Sequence, residues 1–449
     1  MRYLPHTQDE IRSMLETIGV TSVDALFEPI PPSHRLNRPL ALEPALDEAT
    51  LMDHLGELAE RNPAARALSF LGAGMYDHHI PPAVDQLLLR SEFYTAYTPY
   101  QAEVSQGTLQ AIYEFQTLVC DLLGMEVANA SMYDGASATA EAVLMARRIT
   151  KNNHCVVSGG LHPHYRETIE SYLRGLDDEP DRTVAPVAED GRTDVDAVAQ
   201  TVRDDTAAIV VGYPNFFGCV EDLRRLRQIA TEKKALLVTA TAEPYALSLL
   251  TPPGALGADI AVGEGQALAI TPQFGGPGVG LFACRQQHLR QMPGRLVGET
   301  VDQSGTRGYV LTLSTREQHI RRERATSNIC TNHGLVALAF AIRTAMLGRK
   351  GFEEAGKLCL SRAEYLKKRI VQTGRFTVPT TAPTFNEFVV RRKDGEASSL
   401  LEALAKQGIL GGLDLGRFHP ERKADFLVAV TERHAKADLD RFVEALVQA

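Results

Sequence analysis

The chain has 449 residues, of which 44% are hydrophobic and 23% charged, and its net charge is -9 at pH 7. This composition is typical of a soluble globular protein with two or three domains, and the acidity argues against partners such as nucleic acid or anionic membranes. No run is long enough to span a bilayer, and the N-terminus is polar rather than signal-like. Six dispersed cysteines without a CxxC pair indicate reduced thiols, so we expect a cytoplasmic protein.

Residues 1–65 predict a polar, helical N-terminal arm that is interrupted by prolines at residues 28–32. Its apolar density is too low for a core of its own, so we expect the arm to wrap something else. A glycine-rich stretch follows at residues 70–79 and ends in His78 and His79. Adjacent residues of a strand point to opposite faces, so a single ion could not easily take both histidines, and we expect no metal site.

The stretch from Tyr94 to Gln106, here called the tyrosine segment, holds three tyrosines, two amides and a carboxylate with little aliphatic bulk. Tyrosine joins a large apolar ring to a polar tip, which suits a site that is partly dry and partly wet. Pro99 fixes its own backbone and favours an extended conformation at Thr98. The composition fits a ligand-facing wall and also an extended arm packed on the surface.

Two helices are predicted after the tyrosine segment. Residues 108–123 have helical periodicity that ends at Gly124, and an alanine-rich helix covers residues 138–149. Asp134 or Ser137 could cap the second helix. Such a helix start can hold a phosphate through its backbone N–H groups, although an acidic cap disfavours an anion. A phosphate site and a simple capped helix therefore both remain open.

Residues 154–284 alternate short β-branched runs with helical or turn segments, which predicts a mainly parallel sheet covered on both faces and an α/β fold. The predicted strands are residues 155–158, 183–187, 208–211, 236–240, 259–262 and 278–283. Polar residues just beyond the carboxyl ends of parallel strands line sites in such folds. Here these residues include His162, His164, Asn215 and Glu243.

Residues 285–332 are dense in arginines that alternate with tyrosine, threonine and glycine, which favours a structured interface or anion clamp over a solvated face. A long apolar helix at residues 335–347 leads into a small α+β unit. The unit has predicted strands at residues 376–378, 386–391 and 426–430, and helices at residues 397–407 and from residue 436. We therefore expect an N-terminal arm (1–65), a large α/β domain (66–335) and a small C-terminal domain (336–449).

This organisation resembles that of fold-type I pyridoxal-phosphate (PLP) enzymes, and a set of motifs resembles the glycine cleavage system P-protein. The motifs are Tyr97-Thr-Pro-Tyr-Gln101, Glu103-Val-Ser-Gln-Gly107, Asn129-Ala-Ser131, Gly257-Ala-Asp259, Phe274-Gly-Gly-Pro-Gly278, Pro293-Gly-Arg-Leu-Val-Gly298, Arg307-Gly-Tyr-Val-Leu-Thr312, Arg316-Glu-Gln-His-Ile-Arg-Arg322 and Thr326-Ser-Asn-Ile-Cys330. They run through most of the chain. The resemblance is to the N-terminal half of the long form, which in many bacteria is a separate chain, subunit 1 or α. One departure is Ala102, where the family commonly has proline.

The resemblance implies a subunit of glycine dehydrogenase (aminomethyl-transferring), which decarboxylates glycine with PLP and transfers the aminomethyl group to the lipoyl arm of the H-protein. PLP enzymes need a lysine that forms a Schiff base with the cofactor. This chain has no lysine between Lys234 and Lys350, and it has Gln266-Ala267 about where the catalytic half of the family carries a His-Lys pair. We therefore expect PLP to be bound covalently on a partner, subunit 2 (β), in an α2β2 heterotetramer whose active site both subunits share.

The resemblance also implies roles for particular residues. One wall of the shared glycine and lipoyl pocket is expected from Tyr97, Thr98, Tyr100, Gln101, Glu103, Ser105 and Gln106. The turn of Phe274, Gly275 and Gly276 is expected to approach the partner's PLP phosphate through backbone N–H groups. Interface or carboxylate contacts are expected from Asn328, Arg316, Arg321 and Arg322. A histidine at 162 or 164 and Glu243 lie where such folds hold a PLP-stacking histidine and a carboxylate for the pyridine nitrogen.

Two other interpretations compete with a shared active site. The chain could be a purely structural or regulatory partner with no residue in the reaction pocket. It could also be a stand-alone enzyme that binds PLP non-covalently, although the missing lysine argues against this.

Overall fold

The computed structural model describes residues 5–174, 176, 181–316, 318–326, 329 and 332–449. The chain divides into two compact units, Met1–Asn62 and Pro63–Ala449. The first unit contains helices α1 (Gln8–Ile18) and α2 (Glu48–Glu60), which Thr7 and Asp47 cap at their starts. None of its described residues is buried, so this unit has no core of its own, as its low apolar density predicted.

The second unit alternates strands and helices along most of its length. Its first elements are β1 (Leu68–Ser69), α3 (Pro82–Leu88), α4 (Ser91–Tyr94), α5 (Gln106–Leu123), β2 (Val127–Ala128), α6 (Gly135–Thr150), β3 (His154–Ser158), α7 (Pro163–Leu173), β4 (Arg182–Ala185), α8 (Val195–Thr201), β5 (Thr206–Gly212), α9 (Leu223–Glu232), β6 (Leu236–Thr241), β7 (Ile260–Glu264) and β8 (Gly280–Cys284). The rest are β9 (Leu296–Val301), β10 (Arg307–Thr312), α10 (Gln318–Arg321), α11 (Gly334–Gln372), β11 (Phe376–Thr377), β12 (Glu387–Arg392), α12 (Ala397–Ala405), β13 (Ile409–Leu410), β14 (Leu413–Asp414), β15 (Asp425–Ala429) and α13 (Lys436–Gln448).

A seven-stranded sheet in the order β2-β8-β7-β6-β5-β3-β4 forms the centre of this unit. Strands β4, β3, β5, β6 and β7 run parallel, while β8 is antiparallel to β7, so the predicted mainly parallel sheet is confirmed. Both faces are covered. One face packs with Phe115 of α5 and Phe340 of α11, and the other with Val143 and Met145 of α6. Because the strands are buried on both sides, they read as continuous apolar runs in the sequence.

A second, antiparallel sheet in the order β11-β12-β15-β14 lies in the C-terminal part. Its core includes Phe388, Phe426 and Phe442 together with Phe70 from the glycine-rich stretch. Phe70 is held there because β1 pairs in parallel with β13, and the Ala429 N–H donates to the Phe70 carbonyl at 2.9 Å. The segment that follows β1 is thereby fixed beside the C-terminal sheet.

The arginine-dense region contains a β-hairpin that the sequence did not predict. Strands β9 and β10 pair antiparallel from Leu296 with Thr312 to Val301 with Arg307. Tyr309 of the hairpin packs on Leu109 of α5, so the hairpin lies beside the tyrosine segment. Among the described residues, no helix is long and apolar enough to cross a membrane.

Candidate functional site

The carboxyl ends of the parallel strands form a cleft that is nearly full. It is lined by His162, Asn215 and Glu243, which follow β3, β5 and β6, and by Glu387 of β12. The cavity inside has a volume of about 20 Å³, which is room for one water molecule. Three of the four predicted residues after the strand ends therefore line one cleft, and His164 is not in its lining. The three bond to the chain itself.

His162 is buried and neutral in this cleft. Its Nε2 lies 2.9 Å from the Ala73 carbonyl, to which it donates, and its Nδ1 accepts from the His164 N–H at 3.1 Å. Burial lowers the pKa of His162 to about 4. Since both ring nitrogens have protein partners, His162 serves to fix the glycine-rich stretch.

Glu243 is likewise engaged by the protein. Its Oε2 accepts from His78 Nε2 at 3.0 Å and from Asn386 Nδ2 at 3.1 Å, and its Oε1 accepts from the Tyr245 N–H at 2.9 Å. The other imidazole nitrogen, His78 Nδ1, lies 2.6 Å from Glu432. The carboxylate at the end of β6 is thus part of a buried Glu243–His78–Glu432 arrangement, here called the histidine clamp.

The histidine clamp carries a buried positive charge. Burial disfavours the charged ring, but the two carboxylates outweigh it and raise the pKa of His78 to about 9. Burial would raise the pKa of Glu432, yet its bonds with His78 dominate and lower that pKa to about 2. The thiol of Cys359 lies close to His78 and Glu432, within 4.8 Å, a set that could ligate a metal. Both imidazole nitrogens are already at hydrogen-bond distance from carboxylates, so the clamp is a satisfied ionic network as it stands.

The start of α6 is occupied by the chain's own carboxylates. Asp134 caps the helix and accepts from the Ser137 N–H at 2.7 Å, which confirms one of the two predicted caps. Glu264, at the end of β7, accepts from the N–H groups of Gly135, Gln266 and Val279 at 2.9, 2.9 and 3.0 Å. Burial raises the pKa of Glu264 to about 7 against the effect of these three donors.

Among the described residues, the lining of this cleft includes no lysine and so offers no amine for a covalent PLP link. Gln266 follows β7, is 1% exposed, and donates through its amide to the Ile270 carbonyl at 2.5 Å. Lys233, at the end of α9, pairs with Asp204 at 2.9 Å. A full cleft without a lysine does not fit PLP.

A larger cavity of about 350 Å³ lies at the tyrosine segment. Tyr97 and Thr98 line it together with Arg295 and Leu335. The side chain of Tyr97 is 71% exposed, although a tyrosine contributes a large apolar surface. Mostly apolar walls with a few polar groups are typical of ligand pockets.

The other predicted members of the wall lie outside the cavity lining. Tyr100 accepts a hydrogen bond from Arg295 Nη2 at 3.2 Å, so it contacts a lining residue. The Gln106 amide bonds to the Tyr309 backbone, donating to its carbonyl at 2.9 Å and accepting from its N–H at 2.8 Å. Gln106 thereby fastens the β9–β10 hairpin to the start of α5. The remaining predicted members are the exposed Gln101 and Glu103 and the half-buried Ser105.

The predicted glycine turn borders the same cavity. Phe274 is fully exposed with φ of 36°, and Gly275 has φ of 82°. Pro277, which follows Gly276 through a cis peptide bond, lines the cavity. Residues of the tyrosine segment and the proline that follows the glycine turn therefore line one cavity.

The three arginines predicted to make interface or carboxylate contacts differ in exposure. Arg316 donates to the carbonyls of Met292 and Gly294, and so holds the loop before β9. Arg321 and Arg322 are exposed. Asn328 lies outside the described residues.

Sequence reasoning missed the histidine clamp and the part that Glu264 plays at the start of α6. The clamp joins residues 165 and 354 positions apart, and no local pattern marks such a pair. The signal for Glu264 was available, because a carboxylate ends a buried strand, where only a well-bonded charge is tolerated.

Comparisons with known proteins agree on one family. The family model described as "Glycine cleavage system P-protein" matches residues 1–446. A "Probable glycine dehydrogenase (decarboxylating) subunit 1" of Sorangium cellulosum (strain So ce56) is 61% identical over 449 residues, covering 99% of each chain. The protein of the same description from Geobacillus kaustophilus (strain HTA426) is 49% identical over 447 residues, covering 99% of this chain and 98% of its own.

Solved structures give the same result. A crystal structure of glycine decarboxylase (P-protein) of the glycine cleavage system, in inhibitor-bound form, has a TM-score of 0.90 at 42% identity and covers 100% of both chains. Glutamate decarboxylase of Lactobacillus brevis CGMCC 1306, with a TM-score of 0.69 at 15% identity over 93% and 95% of the two chains, shares the fold alone. The fold-type I architecture and the resemblance seen in the sequence are therefore confirmed, and the chain belongs to the glycine cleavage system P-protein family, among relatives of its subunit 1.

Proposed function

We propose that this chain completes the active site of a glycine decarboxylase whose PLP is carried by a partner subunit. Together the two subunits would release CO2 from glycine and pass the aminomethyl group to the lipoyl arm of the H-protein. One observation carries the proposal: the chain's own cleft holds about 20 Å³, whereas the cavity at the tyrosine segment holds about 350 Å³. A cavity that could hold a ligand is thus separate from the cleft that fails to fit PLP.

The residues of this chain would bind and orient glycine and the lipoyl arm rather than take part in the chemical step. PLP on the partner would supply the electron sink that glycine decarboxylation needs. Tyr97 and Thr98 line the cavity, and the Tyr100 hydroxyl accepts a hydrogen bond from Arg295. The aromatic rings would exclude water, which strengthens polar contacts inside the closed site. Phe274 and the two glycines that follow would approach the partner's cofactor phosphate.

The assembly that fits this proposal is an α2β2 heterotetramer in the cytoplasm. The five described cysteines are free thiols, four of them buried and Cys120 half-buried, which supports a reducing compartment. The separate C-terminal sheet supports the division into a large domain (66–335) and a small domain (336–449).

The test is co-expression with subunit 2, followed by measurement of PLP content and of glycine-dependent exchange of labelled bicarbonate. Tyr97→Phe and Gln101→Ala should keep assembly and PLP content but lower the exchange rate by roughly 10- to 100-fold. Gln110→Ala is the matched control, since its amide pairs with Glu114 along α5. Wild-type rates in both site variants would leave the structural partner as the better interpretation.

A further inference from the structure

The Glu264 carboxyl group accepts hydrogen bonds from three backbone N–H groups, which lie in three different segments of the chain. Gly135 is the first residue of α6, Gln266 follows β7, and Val279 precedes β8. The first N–H groups of a helix have no partner within the helix and attract anions. At this helix start the acceptor is a carboxyl side chain of the chain itself.

The space around this helix start is filled as well. A Cβ on Gly135 would overlap with the Tyr165 hydroxyl, and a Cβ on Gly278 would lie 3.0 Å from the Glu264 carboxylate. The second carboxylate, Asp134, occupies the cap position. A phosphate ester would have to displace Glu264 and would be repelled by Asp134, since both side chains lie at the start of α6.

We propose that Glu264 is the internal acceptor that fills the α6 helix start, and that it keeps pyridoxal phosphate and other phosphate esters, bound covalently or not, from binding there. Glu264 is a positioning residue: through the Val279 N–H it also fixes the base of the glycine turn. The inference goes beyond the proposed function, which concerns the separate cavity at the tyrosine segment. It explains why the fold can be retained in a chain that leaves the cofactor to its partner.

The experiment uses the full chain without its partner. The melting temperature is measured in 10 mM inorganic phosphate and in chloride of equal ionic strength, and pyridoxine 5′-phosphate, which lacks the reactive aldehyde, is titrated by fluorescence. Wild-type protein should show no phosphate-specific change. Glu264→Ala should gain a phosphate site, and a Kd of about 1 mM would raise its melting temperature by about 1–2 °C.

Two variants serve as controls. Glu221→Ala removes another buried carboxylate, which accepts from Thr193 and Asn215 rather than from a helix start, and it should gain no phosphate response. Glu264→Gln keeps the side-chain volume and should also gain none. A phosphate response in either control variant would overturn the space-filling argument.

Saturable binding of pyridoxine 5′-phosphate to wild-type chain would overturn the proposal, as would a folded Glu264→Ala variant without a phosphate response. If Glu264→Ala does not fold, the wild-type titration and the Glu264→Gln response still decide the matter. Because no partner takes part, these results are independent of the decarboxylation assay. A failure of the shared-site proposal and a failure of the Glu264 proposal can therefore be told apart.

Discussion

Replacing His78 with glutamine would remove the buried cation between Glu243 and Glu432. The imidazole is 1% exposed, and it stacks on the Tyr245 ring with centroids 3.9 Å apart. Glutamine is polar and of similar reach but cannot carry the charge. Breaking a buried ion pair on one side leaves an uncompensated charge, which typically costs about 3–5 kcal/mol. The variant should therefore fold less stably at neutral pH.

The pH dependence identifies the charge as the cause. His78 has an ordinary pKa of 6.5 and a folded pKa of about 9. A raised pKa gives stability that is fully present below pH 6.5 and is lost as the pH rises through 9. With about 1.4 kcal/mol for each pKa unit, the protonated ring contributes about 2 kcal/mol at pH 7.5 and about 0.4 kcal/mol at pH 9. Burial raises the pKa of Cys359 and of Tyr245, so these neighbours stay neutral in this range.

The assay compares melting temperatures of wild-type chain and His78→Gln between pH 7.5 and pH 9. Between pH 7.5 and pH 9 the difference between the two melting temperatures should decrease by about 2 °C for a chain of this length. His79→Gln is the matched control, because His79 is the next residue, is exposed, and contacts Glu432 through its backbone N–H. A difference in melting temperature that stays constant from pH 7.5 to pH 9 would refute a protonated His78. If His78→Gln lowers the melting temperature at pH 7.5 no more than His79→Gln does, the histidine clamp does not stabilise the fold.

Two further predictions concern packing. Gln106→Ala should release the β9–β10 hairpin from α5, because the Tyr309 backbone groups lose their partner. The free energy of unfolding should fall by about 1–3 kcal/mol. Limited proteolysis should then cut first within residues 296–312. Gly218→Ala should abolish folding, since its Cβ would overlap with the backbone of β12, whereas Gly374→Ala, which has a similar positive φ but open space, should be tolerated at about 1 kcal/mol. Equal melting temperatures for these two variants would contradict the overlap.

The parts of the fold that the sequence predicted are those with local causes. Helix α6 begins one residue after its Asp134 cap, and α5 ends at Gly124 with φ of 65°, because a cap acts on residues at most four positions away. The strands of the central sheet were recognisable since burial on both faces leaves a continuous apolar run. Elements of these kinds carry their signal within a few residues.

The parts that could not be predicted depend on pairs distant in sequence. Gln106 was expected in the pocket wall, and its amide is instead engaged by Tyr309, 203 residues away. The hairpin was hidden because its arginines resemble a charged face in sequence, while its buried side rests on one tyrosine and a few aliphatic residues. The histidine clamp has no local pattern at all. Of the candidate site, the sequence predicted the tyrosine segment and the glycine turn, but not which side chains face the cavity.

The position of the glycine-rich stretch has a consequence for synthesis of the chain on the ribosome. Phe70 bonds to the backbones of Leu410 and Ala429, Tyr76 to Glu387, and His78 to Glu432. A segment made early in translation thus waits for more than 300 residues before any of these partners emerges. The central sheet, which ends at residue 284, can form during that interval, because domains fold as units during synthesis. Until the last strand arrives, Phe70 lacks these partners and is exposed to chaperones and proteases, so a stalled chain is vulnerable near its beginning as well as at its unfinished end.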